Sequence, residues 1–395
     1  MSERNKMLKL IKSAEIYGPE CLGKKDVLIT AEKIGCIQDS IDIGKAVEIE
    51  TIDAEGKFLV PGFIDSHVHI LGGGGEGSYK TRIPEITLTD ITRAGVTTVI
   101  GCLGTDGITR TMSNLIAKAR GLHEEGITCY VYTGSYQVPV RTLTGSILED
   151  IILIDKIIGV GEIALCDHRS SQPTVEEVAK IAAAARVGGM LSGKAGIVNI
   201  HIGNGERKLS FLEKIASDTE IPITQFIPTH IGRSPELFAD AMEYAKKGGL
   251  IDLTTSTPKR FSKNKEGKCS QALKVMLDNG VPVENISFSS DGQGSLPKFD
   301  EKGQYIGLDV GRVTTLYESF RDAVRNENIA IEVALKVITS NVARNLKLNA
   351  KGCIGTGKDA DMVLLDKDLE IDTVIAKGQI MVRDKQAVVK GTFED

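Results

Sequence analysis

The chain has 395 residues, more than the roughly 250–300 that one hydrophobic core usually serves, so we expect more than one structural unit. Its net charge is only −5, with Lys and Arg dispersed, which argues against nucleic acid or a membrane surface as a partner. The charged start of the chain resembles no signal peptide, and no apolar run reaches the roughly 20 residues of a membrane-spanning helix. Seven cysteines without a Cys-x-x-Cys pair are typical of reduced thiols, so we expect a cytoplasmic protein.

Short alternating segments occupy both ends of the chain. The N-terminal part, to about residue 54, includes segments at 26–30 and 47–50, and the tail repeats this pattern at 360–366, 371–375 and 379–382. Such strands, with turn residues every 8–12 positions, predict a small β-sandwich. We therefore predict a sandwich built from residues 1–56 and 352–395, and a separate unit spanning residues 57–351.

The most informative segment is VPGFIDSHVH at residues 60–69, where an apolar, strand-like run ends in two histidines. Alternate residues of an extended chain point the same way, so His67 and His69 can aim both imidazoles at one point. A hydrogen-bonded histidine pair on a strand edge would give the same pattern. The motif alone therefore leaves metal binding open.

Further metal-competent side chains end later strand-like runs: Glu162, His201, His230 and Asp291. A βαβ step takes roughly 30 residues, so the separations place the ligands on strands 1, 4, 5, 6 and 8 of a regular series. Segments 96–101, 128–133 and 250–254 supply strands 2, 3 and 7, and amphipathic segments at 174–191, 235–247 and 270–279 predict helices between strands. The predicted fold class is α/β, a (β/α)8 barrel whose chemistry gathers at the C-terminal ends of its strands.

These motifs resemble the amidohydrolase superfamily and, within it, the isoaspartyl dipeptidase family. The resemblance covers essentially the whole chain and rests on residues 61–69, 72–76, 103–106, 167–170, 198–203, 228–233 and 290–295. It implies a barrel with a terminal sandwich, assembly into a homo-oligomer, and dipeptides linked through the aspartate side chain as substrates. One position departs from the pattern. Where the best-known member has a carboxylated lysine between two zinc ions, this chain has Glu162.

Imidazoles and carboxylates together suit zinc and its neighbours. We predict that one zinc ion is held by His67, His69 and Asp291 and a second by His201 and His230, with Glu162 between them; a single ion is the alternative. A metal lowers the pKa of bound water to about 7, so hydroxide is the predicted nucleophile. Asp291 can accept the proton of the attacking water and deliver it to the leaving amine.

Charged residues near the ligand strands indicate the substrate. Arg169 and Arg233 each follow a ligand strand by a few residues, and arginine forks match carboxylates. Without the family match, each arginine would be interpreted as one partner of a surface ion pair. Glu76 follows four glycines, which let a loop close over a ligand and place the carboxylate against an ammonium group, although a simple turn also fits.

Other positions gain roles only through the resemblance. It implies that Tyr136 polarises the scissile carbonyl and that three further residues contact the substrate: Gly74, Thr105 and Ser295. Three remaining candidates are expected to be structural, namely a packed thiol, a surface residue and a loop residue: Cys166, His123 and His168. The Gly-x-Gly-Lys run at 355–358 lacks the span and helix of a phosphate loop.

An ammonium, an adjacent carboxylate and a second carboxylate beyond an amide describe a β-aspartyl dipeptide. We therefore predict a metal-dependent dipeptidase that hydrolyses the isopeptide bond. One alternative is a deacetylase of N-acyl amino acids or amino sugars, since Glu at the strand 4 position also occurs in one-metal sugar deacetylases. Another is a catalytically inactive scaffold, against which the intact ligand set argues. The sequence leaves open the metal's identity and number, the preferred residue after aspartate, and the oligomeric state.

Overall fold

The computed structural model describes residues 8–44, 48–257, 259–262, 265–299 and 305–395. The first seven residues and residue 47 of the predicted strand at 47–50 lie outside these ranges. The strands are β1 (Leu8–Tyr17), β2 (Cys21–Thr30), β3 (Lys33–Gln38), β4 (Glu50–Asp53), β5 (Phe58–Pro61), β6 (Phe63–Val68), β7 (Val96–Gly101), β8 (Thr128–Thr133), β9 (Ile157–Leu165), β10 (Ile197–Ile202), β11 (Phe226–Thr229), β12 (Ile251–Thr254), β13 (Lys259–Ser262), β14 (Lys265–Gly267), β15 (Ile286–Ser289), β16 (Ser295–Phe299), β17 (Tyr305–Val310), β18 (Met362–Leu365), β19 (Ile371–Ala376), β20 (Gln379–Arg383) and β21 (Gln386–Ala387).

The helices are α1 (Leu88–Thr92), α2 (Met112–Glu124), α3 (Ile147–Leu153), α4 (Val175–Ser192), α5 (Ser210–Asp218), α6 (Pro235–Lys246), α7 (Cys269–Asp278), α8 (Thr314–Arg325), α9 (Ile331–Lys336) and α10 (Ser340–Asn345). Local sequence explains their ends. Thr174 caps α4 in a capping box with Glu177, and Gly193 ends that helix in the left-handed conformation. Among the described residues, no helix is long and apolar enough to cross a membrane.

Strands from both ends of the chain form one sheet of nine strands, in the order β21-β20-β19-β18-β5-β1-β2-β3, with β4 paired to β1. The junction is the antiparallel pairing of β18 with β5, in which Met362 lies opposite Pro61. The terminal strands thus combine as predicted, but they hydrogen-bond into a single sheet, because β18 joins β5 directly. That this sheet folds over into the expected sandwich stays a prediction. The sheet has a core of its own, which includes Ile11, Ile29, Leu59 and Leu364.

Six parallel strands form the second sheet, in the order β11-β10-β9-β8-β7-β6. Strands β12 and β15 form a further parallel pair. Contacts connect this pair with both ends of the six: the Thr229 hydroxyl donates to Asp252 on β12 at 2.8 Å, and the His69 amide donates to Gly292, after β15, at 2.8 Å. The parallel strands are therefore curled into a TIM-barrel-type arrangement, whose complete closure stays a prediction.

Lys351 lies where the chain returns from the parallel strands to the terminal sheet. Its ammonium group is buried against two carboxylates, Asp361 and Asp359, and lies 2.9 Å from Asp359 Oδ2. Burial lowers the pKa of Lys351, but the two carboxylates outweigh burial and raise it above its ordinary value. The lysine is therefore the charged partner of both aspartates at this junction.

We expect Lys351→Met to destabilise the protein by about 3–5 kcal/mol, because it strands two carboxylates, of which Asp361 is buried. Lys24, exposed and 2.6 Å from Glu55, provides a matched control, and Lys24→Met should move the unfolding midpoint very little. The midpoint and slope of urea unfolding measure both effects. Similar shifts in the two variants would contradict the importance of the buried pair.

Candidate metal centre and active site

Imidazoles and carboxylates from different strands converge at the C-terminal ends of the parallel strands. The ones predicted from the sequence lie within β6, β9, β10, β11 and β15 or no more than two residues after them: His67, His69, Glu162, His201, His230 and Asp291. All six are buried. The structure therefore brings together every side chain that the sequence predicts as a metal ligand.

Glu162 lies at the centre of this group. Its Oε2 lies 3.1 Å from His67 Nε2 and 3.8 Å from His69 Nε2. Its Oε1 lies 2.7 Å from His201 Nδ1 and 3.1 Å from His230 Nε2. Each carboxylate oxygen therefore faces one pair of imidazoles.

The backbone before Glu162 approaches the neighbouring strand closely. Gly161 has φ of 153°, and a Cβ at this position would lie 2.8 Å from the Cβ of Asn199 on β10. Only glycine fits such a contact in this conformation. Glu162 lies inside β9 rather than after its last residue, because the strand continues to Leu165, further than the sequence predicts.

Asp291 completes the part of the site that contains His67 and His69, which is called the first half of the site. Its Oδ1 lies 3.0 Å from His69 Nε2 and 3.7 Å from His67 Nε2. Asp291 and His230 follow their strands with φ of 55° and 65°, a left-handed conformation that is uncommon outside glycine. The backbone thus turns sharply at both strand ends where a predicted ligand stands.

Several of these atoms lack hydrogen-bond partners within the described part of the chain. They are His67 Nε2, Glu162 Oε2 and Asp291 Oδ1, all buried. Buried polar atoms without partners are costly, and a divalent cation would satisfy all three. Neutral imidazole nitrogens and carboxylate oxygens are also the donors that zinc accepts. The residues present therefore fit a metal.

The donor atoms form two groups that share Glu162. One consists of His67, His69, Cys102 and Glu162, and the other of Glu162, His201 and His230; within each group the donor atoms lie within 4.8 Å of one another. The sequence reasoning missed Cys102, although it directly follows β7, the predicted strand 2. Its position at a strand end was the available signal.

Both acidic residues are ionised at neutral pH. Burial raises the pKa of Glu162, but the nearby imidazoles of His67 and His201 lower it well below its ordinary value. Burial also raises the pKa of Asp291, but the His69 imidazole, 3.0 Å away, and the charge of His67 bring it to about 2. Carboxylates in this state are competent to bind a cation.

The second half of the site contains His201 and His230. Tyr136 lies beside it, with its hydroxyl 2.8 Å from His201 Nδ1. Burial, and to a lesser extent the charge of Glu162, raise the pKa of Tyr136 well above 10. The hydroxyl therefore keeps its proton at neutral pH. It can donate a hydrogen bond to an oxygen placed next to it.

Asp167 connects the imidazoles with the arginines. Its carboxylate accepts two hydrogen bonds of 2.9 Å from the Arg169 guanidinium, and it lies 3.0 Å from His201 Nε2. Arg233 Nη1 lies 2.9 Å from the same His201 nitrogen and donates to the Ile202 carbonyl at 3.1 Å. The sequence reasoning gave Asp167 no role, although the motif at residues 167–170, which carries part of the family resemblance, was the available signal.

Glu76 gathers three of the predicted substrate-binding residues. Its carboxylate accepts hydrogen bonds of 3.2 Å from Thr105, Arg169 and Ser295. A cavity of about 910 Å³ opens beside this cluster. It is lined by all seven residues predicted to bind substrate: Gly74, Glu76, Thr105, Tyr136, Arg169, Arg233 and Ser295.

Three further candidates lie in different environments. Cys166 lines the cavity but is buried, with its thiol 3.5 Å from the Lys208 carbonyl, as a packed thiol would be. The His168 side chain is 90% exposed. His123 is half-buried rather than on the surface, because its ring packs within 3.5 Å of the Lys377 ammonium.

Known proteins resemble this chain over most of its length. Residues 58–381 match the model of the amidohydrolase family. A β-aspartyl dipeptidase from Fervidobacterium islandicum AW-1, solved in complex with the β-Asp-Leu dipeptide, is 49% identical, with a TM-score of 0.90 over 97% of this chain and 98% of that one. Dihydropyrimidinase from Brevibacillus agri shares the fold at 19% identity, with a TM-score of 0.68 over 98% of this chain and 97% of that one.

Adenine deaminase of Clostridium acetobutylicum is 24% identical over 98% of this chain. This chain spans only 60% of the length of that deaminase, so the deaminase carries additional sequence. The family match covers most of the 395 residues and includes all the strands that carry the converging imidazoles and carboxylates. The chain belongs to the amidohydrolase family.

Proposed function

We propose that this protein is a metal-dependent β-aspartyl dipeptidase, which hydrolyses the isopeptide bond of dipeptides linked through the aspartate side chain. The observation that carries the proposal is that two of the predicted metal ligands, His69 and Asp291, and all seven predicted substrate-binding residues border one cavity. The β-aspartyl dipeptidase of Fervidobacterium islandicum supports it, at 49% identity over nearly the whole chain.

In this proposal His67, His69 and Asp291 hold one zinc ion, and His201 and His230 hold a second, with Glu162 shared between them. The two Glu162 oxygens, each facing its own imidazole pair, support the shared role. When bound, such ions supply a water whose pKa falls to about 7 and polarise the amide carbonyl. A single-ion site is the simpler variant of the same arrangement.

The chain's own groups handle the protons of the reaction. Asp291 is ionised and borders the cavity, so it accepts a proton from the attacking water and passes it to the leaving amine. Tyr136 keeps its hydroxyl proton and donates to the carbonyl oxygen as negative charge develops there. One group thus carries the proton and another stabilises the charge.

The charged residues of the cavity match the charges of the substrate. Arg169 and Arg233 bind its carboxylates, although two guanidinium nitrogens of Arg169 already pair with Asp167. Arg233 therefore has more guanidinium N–H groups left for a substrate carboxylate than Arg169 has. Glu76 accepts a hydrogen bond from Arg169 at 3.2 Å and lines the same cavity, where it can meet the free ammonium group. An N-acyl amino acid has no free ammonium group, so it offers Glu76 no cationic partner beyond Arg169, which disfavours the deacetylase alternative.

We further propose that residues 57–351 form the hydrolase unit and that 1–56 with 352–395 form the terminal unit. Strand β5 connects them, since it follows residue 57 and pairs in the terminal sheet. Assembly as a homo-oligomer and a cytoplasmic location belong to the same proposal.

Removal of metal tests the centre of the proposal. A chelator should abolish hydrolysis of β-Asp-Leu, and zinc, manganese or cobalt should restore it equally with and without bicarbonate, because Glu162 already supplies the shared negative charge. Glu162→Gln should lose metal, whereas the exposed Glu243→Gln should not. Metal content and rate are measured together. Full activity without metal, or activity that returns only with bicarbonate, would refute this assignment.

Arg233→Met should weaken transition-state binding of β-Asp-Leu by about 2–4 kcal/mol, because a substrate carboxylate loses its partner. The loss should shrink for the substrate analogue whose α-carboxylate is replaced by an amide, if Arg233 contacts that group. Arg120→Met, at an exposed ion pair, is the control. An unchanged kcat/KM would place Arg233 outside the substrate site.

Asp291→Asn should keep some metal yet lower kcat by about 10²–10⁴-fold, the usual contribution of a general acid–base group. The amide can still offer an oxygen to the metal but cannot accept the proton. Metal analysis and steady-state kinetics on the same sample separate the two effects. A variant that keeps more than about a tenth of the wild-type rate would show that another group is the base.

A further inference from the structure

Cys102 lies against the imidazoles of the site's first half. It directly follows β7 and is 1% exposed. Its thiol sulfur lies 3.7 Å from His69 Nδ1 and belongs to the group of donor atoms formed with His67, His69 and Glu162. The mechanism proposed above gives this thiol no task.

A second observation indicates what the thiol faces. His67 Nε2 and Glu162 Oε2 belong to the same group, are fully buried, and have no hydrogen-bond partner within the described residues. The thiol lies 3.7 Å from both the Val68 carbonyl oxygen and His69 Nδ1, and these contacts leave His67 Nε2 and Glu162 Oε2 without partners. The two imidazoles, the carboxylate and the thiol form a donor set that zinc accepts, since zinc binds Cys, His and Asp or Glu in mixed shells.

We propose that Cys102 is a thiolate ligand of the ion held by His67 and His69. On binding, the S–H bond breaks, the proton leaves to solvent, and a sulfur lone pair forms the bond to the ion. The proposal rests on the proposed metal dependence but not on the identity of the substrate. Glu162 is shared between the two ions and is shorter than a carboxylated lysine. A thiolate would add a negative charge beside the ion that His67 and His69 hold.

Cobalt supplies a direct spectroscopic test on the full-length enzyme. Cobalt-loaded wild-type protein should show a near-ultraviolet sulfur-to-cobalt charge-transfer band, and Cys102→Ser should lose it. Cys129→Ser, which changes another buried thiol on the neighbouring strand β8, should keep it. Cys102→Ala should weaken metal binding by more than about 100-fold, beyond the 10–100-fold typical of residues that only orient a ligand.

X-ray absorption at the zinc edge gives a measurement that needs no variant. The wild-type zinc enzyme should show one sulfur neighbour at about 2.3 Å. A sulfur-free spectrum, or a cobalt band that persists in Cys102→Ser, would overturn the proposal and leave Cys102 as a hydrogen-bond partner of His69. Either result with normal hydrolysis of β-Asp-Leu leaves the proposed function intact, whereas a protein that binds no metal refutes the proposed function itself.

Discussion

The placement of one carboxylate among four imidazoles constrains the rest of the site. Glu162 is fully buried, and a buried anion is tolerated only where its partners are held in good geometry. Each of its two oxygens faces two histidines. His67 and His69 come from β6 and the residue after it, and the other two come from β10 and from the turn after β11. The relative positions of these strands are therefore linked to one side chain, and the curvature of the sheet is what lets them meet.

The same constraint extends outward through the second nitrogens of His201 and His230. His201 turns Nδ1 to Glu162 and Nε2 to Asp167, and His230 turns Nε2 to Glu162 and Nδ1 to the Thr254 hydroxyl at 2.7 Å. Such outer contacts fix the ring orientation and the tautomer of a metal ligand. Because Asp167 also holds Arg169, the metal end and the substrate end of the cavity share one polar network.

Local sequence patterns could predict the features that depend on one strand at a time. The spacing of His67 and His69 follows from the two-residue period of a strand, and the polar residues that end apolar runs mark the catalytic edge of a parallel sheet. Features that depend on pairing between distant strands could not be predicted this way. The direct pairing of β5 with β18 leaves no local signal, and the strand-end position of Cys102 does not show that the thiol approaches His69, because both features depend on how separate strands are arranged.

Glu162 stands where the best-known isoaspartyl dipeptidase has a longer carboxylated lysine. This exchange requires a change in the backbone as well. A glutamate carries the same single charge but reaches less far from its strand, so β9 has to lie close to its neighbour at this point. Gly161 supplies that approach, since its missing Cβ is what lets β9 pass Asn199 on β10 without a clash. A side chain at position 161 would push the carboxylate away from the imidazoles. The position of the Glu162 carboxylate therefore depends on the close approach of β9 to β10 that Gly161 permits.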